Sequence, residues 1–162
     1  SRDTHRHPML GPRALTCTRI AGCEGLNSVP ALARLTFDMR TLPDQTGDEA
    51  WAEIAAAVAA FPLPAGARIE TKRPFINGLS MEVPRDAAIV GRLGAALAAA
   101  GLDPEPVGAP FGSDASTFTR SGTPTVVFGP GDIAQAHAID EFADLAEVVK
   151  AAEILAAIVT VG

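Results

Sequence analysis

Thr123-Pro124-Thr125-Val126-Val127-Phe128-Gly129-Pro130-Gly131 runs directly into Asp132-Ile133-Ala134-Gln135-Ala136-His137, with Asp140-Glu141 just beyond. Pro124 opens an apolar run rich in β-branched residues and Gly129-Pro130-Gly131 stops it, so the segment reads as a buried parallel strand with a sharp turn at its carboxyl end. In α/β sheets that edge is where ligands bind. A histidine a few residues past the turn, with two carboxylates behind it, suits a metal ligand or a base, and equally an exposed or structural histidine. A phosphate cradle is disfavoured, because Pro130 lacks an amide hydrogen and no lysine follows.

Three further segments precede this one in a fixed order: Gly25-Leu26-Asn27-Ser28-Val29-Pro30, then Phe37-Asp38-Met39-Arg40 with Pro43, then Gly112-Ser113-Asp114-Ala115. Together the four segments resemble the carboxyl-terminal signatures of the dinuclear zinc amidohydrolases, the family of acetylornithine deacetylase, succinyl-diaminopimelate desuccinylase, aminoacylase and glutamate carboxypeptidase. The wording around His137 leans toward the acetylornithine deacetylase branch.

That resemblance implies an α/β chain in two parts. Residues 1–76 would be a partial α+β lid (dimerisation) domain of ferredoxin-like type with an amino-terminal connecting segment. Residues 77–162 would be the carboxyl-terminal part of a zinc-peptidase-like α/β catalytic domain. It further implies metal-dependent hydrolysis of the amide bond of an N-acyl amino acid or short peptide, a homodimer formed through the lid, and two zinc ions, with cobalt as a substitute. His137 would be a metal ligand, with Asp140 or Glu141 orienting its ring or loop. Arg40 would clamp the substrate carboxylate through its planar fork, held by Asp38, while Asn27 and Gly112 would also meet the substrate. The first metal histidine, the bridging aspartate, the Glu-Glu pair and a lid histidine would precede Ser1. The chain alone would then be inactive. A non-catalytic dimerisation or binding module derived from the same family is the rival reading.

Composition sets outer bounds. The 162 residues are 48% hydrophobic and 20% charged with net charge −6, and no basic stripe or aromatic platform suggests a nucleic-acid or membrane partner. Cys17 and Cys23 lack a zinc-site pattern and suit reduced thiols in a cytoplasmic protein.

Expected strands are Leu15–Ala21, Ala31–Arg40, Arg68–Arg73, a short one at Glu105–Gly108, and Thr125–Phe128. Helices are expected from a Thr46/Glu49 capping box to about Phe61, from about Asp86 to Ala100 with Gly101 as its stop, as a short turn over Ser113–Arg120 capped by Asp114, and from Asp144 with Glu147 at the third position. Ser1–Gly11 reads as an unfolded connecting segment.

Overall fold

The computed structural model describes residues 5–22 and 25–160; Cys23 lies outside that range. Contacts divide the chain into two compact units, Ser1–Met81 with Gly108–Gly112, and Glu82–Val107 with Ser113–Gly162.

The first unit is built on an antiparallel ribbon. Strand β3 (Ala14–Gly22) pairs with β4 (Ala33–Arg40), from Ala14 opposite Arg40 at one end to Gly22 opposite Ala33 at the other. The register slips by one residue between Cys17 and Arg19, which makes Thr18 a bulge. Its hydroxyl donates to the Thr36 carbonyl at 3.3 Å. The extra residue restores the alternation that the sequence breaks at that point. Leu15, Cys17, Ile20 and their partners Met39, Phe37 and Leu35 thus share one face, and Thr16, Arg19, Arg34, Thr36, Asp38 and Arg40 share the other.

Two shorter strands precede the ribbon. Arg6–His7 (β1) pairs with Gly11–Pro12 (β2), and His7 Nδ1 accepts the Met9 and Leu10 amides across the turn. This corrects the reading of the connecting segment, for residues 5–11. Strands of two residues carry no periodicity from which they could be read.

Helix α1 (Gly47–Ala59) begins where expected. Thr46 Oγ1 accepts the Glu49 amide at 3.2 Å and Glu49 Oε2 accepts the Thr46 amide at 2.8 Å, closing the capping box. The hydrogen bond from the Thr46 backbone holds the Glu49 carboxyl below its ordinary range. A carboxyl lowered in the folded state contributes stability above its unfolded pKa and loses it as pH falls through the folded value. Thr46→Ala should lower stability by about 1 kcal/mol, and thermal melts should show this deficit shrinking as acidification protonates Glu49 and the box opens in the parent chain too.

In the second unit, α2 (Ala88–Ala99) packs on α4 (Leu145–Thr160). Gly101, at φ 73°, ends α2 in a double hydrogen bond, Leu102 amide to Leu97 carbonyl at 2.9 Å and Gly101 amide to Ala98 carbonyl at 3.0 Å. Helix α3 (Ala115–Arg120) is a turn and a half. Asp114 occupies its amino-cap position but stays helical in backbone and gives no side-chain cap bond, contrary to the expected cap. Asp144 does cap α4, accepting the Ala146 amide at 2.8 Å.

The described residues form two small antiparallel sheets, four α-helices and one 3-10 turn, an α/β mixture. Thr125–Phe128, Arg68–Arg73 and Glu105–Gly108 join no ladder among these residues, so the expected parallel strand appears only as a run without an assigned partner. A strand requires a neighbour, and apolar character alone does not supply one. Thr125, Val126 and Phe128 still line an apolar groove of about 230 Å³ with Ile89, Leu93, Leu155 and Ile158.

Cover is thin in both units. Leu42 and Ala50 in the first, and Ala151 and Ile154 in the second, are the buried apolar residues among those described, while Ile20, Leu35 and Phe37 on the ribbon's apolar face are more than half exposed. No helix among the described residues is long and apolar enough to cross a membrane.

Candidate functional site

Arg40 ends β4 on the ribbon's polar face. Two residues earlier on that face Asp38 accepts its Nε hydrogen at 2.8 Å, a consequence of the two-residue period of a strand. This leaves the terminal nitrogens of the guanidinium, the edge suited to a two-point bond with a carboxylate. The pair is about half exposed. Gly112 belongs to the same unit, and a methyl group placed on it would lie 4.0 Å from Arg40 Nη1 with no closer neighbour. Arg40 and Gly112 are therefore neighbours, although 72 positions separate them in the chain.

Asn27 is elsewhere. It sits in the exposed loop joining β3 to β4, beyond the Gly22–Ala33 pair, whereas Arg40 is at the opposite end of the ribbon. The eight residues of β4 lie between them and span roughly 23 Å.

His137 lies in the second unit, past the Gly129-Pro130-Gly131 turn. Three carboxylates bind that loop's backbone. Glu147 Oε2 accepts the Gly131 amide at 2.8 Å, Asp132 Oδ1 accepts the Ala134 amide at 2.9 Å, and Glu141 Oε2 accepts the His137 amide at 3.1 Å. Glu147 was expected only as part of a helix start, and its hold on Gly131 could not be read from a spacing of sixteen. The Asp132 cap has a signal, Asp two residues before Ala134 at the start of a turn.

His137 itself has φ 65°, the one positive value outside glycine among the described residues. Ala136 is extended at φ −60° and ψ 130°, and the Ala138 amide donates to the Gln135 carbonyl at 3.0 Å. These values define a type II turn with His137 in the position that ordinarily takes glycine or asparagine. The strain is on the order of 1 kcal/mol. The ring is exposed and neither of its nitrogens is hydrogen-bonded among the described residues. Asp140 is exposed, and its carboxylate is likewise unbonded among them.

The donor chemistry suits one ligand of a metal centre. No group of three or more histidine, cysteine, aspartate or glutamate side chains among the described residues could hold a metal ion, so the remaining donors would have to come from elsewhere. Cys17 is an exposed free thiol on β3.

A relative from Xanthomonas campestris pv. campestris, N-acetyl-L-citrulline deacetylase, is 36% identical over 137 residues, which are 83% of this chain and 36% of that protein. The chain thus spans little more than a third of the relative's length. The model of the peptidase family M20/M25/M40 matches residues 16–161, from the bulged strand through the last helix, and the chain belongs to that family.

Proposed function

We propose that this chain supplies the substrate-carboxylate clamp and one metal ligand of a metal-dependent hydrolase acting on the amide bond of N-acyl amino acids. Membership of the M20/M25/M40 family and likeness to a deacetylase support hydrolysis of that class of bond. The observation that carries the reading is local: Asp38 occupies Nε of Arg40, the outer edge of the guanidinium is left for a carboxylate, and the neighbouring Gly112 keeps the approach free of side-chain bulk.

In this reading Arg40 binds and orients the substrate carboxylate, and Gly112 lets the substrate come close to the backbone. His137 holds a metal ion, zinc in the first instance, from a turn fixed by the loop's carboxylates. When bound, the metal supplies positive charge that acidifies water and polarises the acyl carbonyl. Residues amino-terminal to this chain complete the donor set and provide the general base. A homodimer through the lid would bring Asn27 of one copy to the substrate held by Arg40 of another, which accommodates their separation along the ribbon.

The 162-residue chain with added zinc or cobalt is expected to give no turnover of N-acetylornithine. A longer protein carrying the segment together with upstream metal donors is expected to hydrolyse N-acetyl amino acids and to lose that activity to a chelator. Turnover by the purified chain would sink the division of labour proposed here. An inactive longer protein that still dimerised would favour a non-catalytic association module.

A further inference from the structure

A type II turn and a type I turn share the hydrogen bond between their ends and differ by a flip of the central peptide. The Gln135 to Ala138 bond is therefore compatible with either. In the turn seen here the central peptide joins Ala136 to His137, and its N–H is the group that Glu141 Oε2 receives at 3.1 Å. Histidine at the third position pays a steric penalty in the type II form and none in type I, where φ would be negative. The backbone alone would choose type I. The bond that selects the other form is the one to Glu141, a charge-assisted acceptor four residues ahead.

We propose that Glu141 is a positioning residue: by accepting the His137 amide it keeps the Gln135–Ala138 turn in the strained type II form and so fixes the direction in which the His137 imidazole is presented. This rests on the reading of His137 as a metal ligand. The flip would move φ from 65° to the negative range and tilt the Cα–Cβ bond, and the ring with it, relative to the turn. Asp140, next to Glu141, has no bond to the turn among the described residues and cannot stand in for it.

The test begins without metal, on the ¹⁵N-labelled 162-residue chain. Positive φ brings a residue's amide and α protons close, so His137 should show a strong intraresidue cross-peak between them and slow amide exchange. Glu141→Ala should weaken that cross-peak to the level of its neighbours and speed exchange of the His137 amide by about tenfold. Glu141→Gln, which keeps an accepting oxygen, should retain both signatures. Unchanged α4 amide shifts show that the variants remain folded.

Retention of the strong cross-peak and slow exchange in Glu141→Ala, or their loss in Glu141→Gln, would overturn the proposal. In the longer enzyme Glu141→Ala should weaken zinc affinity by about tenfold and Glu141→Gln should restore it. A turn that flips while zinc affinity stays unchanged would refute the positioning role. His137→Ala is the separate check on the ligand reading, because metal retention there rejects His137 as a ligand whatever the turn does.

Discussion

His137→Ala in the longer enzyme is expected to lose one metal equivalent per active site and to lower kcat by about 100-fold or more, the largest effect of any single change in this chain. Removing a ligand leaves an ion under-coordinated, whereas losing a partner of a ligand typically costs 10–100-fold on its own. Fold stability should not suffer. The ring is exposed and its residue is strained, so the substitution removes no packing, and a glycine at the same site should be at least as stable as histidine. Metal analysis alongside a thermal melt separates the outcomes: full metal content with parental turnover would return His137 to the status of a surface residue.

Arg40→Lys should be the second largest. Lysine keeps the charge but loses the planar fork, and it also loses the Nε hydrogen that Asp38 receives at 2.8 Å, so the ammonium would be drawn to Asp38 and away from a substrate. A loss of about 1–3 kcal/mol in transition-state stabilisation is expected on free-acid substrates. The matched esters carry no carboxylate to clamp and should be hardly affected. Equal losses of kcat/KM on acid and ester would mean that Arg40 serves the ribbon and not the substrate.

Local chemistry was legible where one short motif decides the structure. Thr46 and Glu49 announce α1, Gly101 stops α2 and Asp144 starts α4, because each satisfies backbone groups within four residues. Asp38 and Arg40 were readable as a pair from the period of a strand. Long-range facts were not. The Arg40–Gly112 proximity, the distance between Asn27 and Arg40, and the hold of Glu147 on Gly131 depend on how distant segments meet. Thr125–Phe128 was correctly recognisable as apolar, but its ladder could not be inferred from its own residues. The left-handed His137 gave no sign at all, since Ala136-His137-Ala138 contains neither glycine nor asparagine. Asp114 misled for the opposite reason: a residue type that favours caps sits at the cap position without making the bond.

The Thr18 bulge is a spare residue in β3. Deleting it would join Cys17 to Arg19 as ordinary alternating neighbours, so Arg19 would stay opposite Thr36 and Ile20 opposite Leu35. A strand one residue shorter would therefore keep both faces of the ribbon. Flattening the bulge with Thr18 still in place would instead turn the strand over, bringing Arg19 to the side of Phe37 and Ile20 to the side of Asp38 and Arg40. Among relatives, a one-residue gap at this point would need no compensating change in β4.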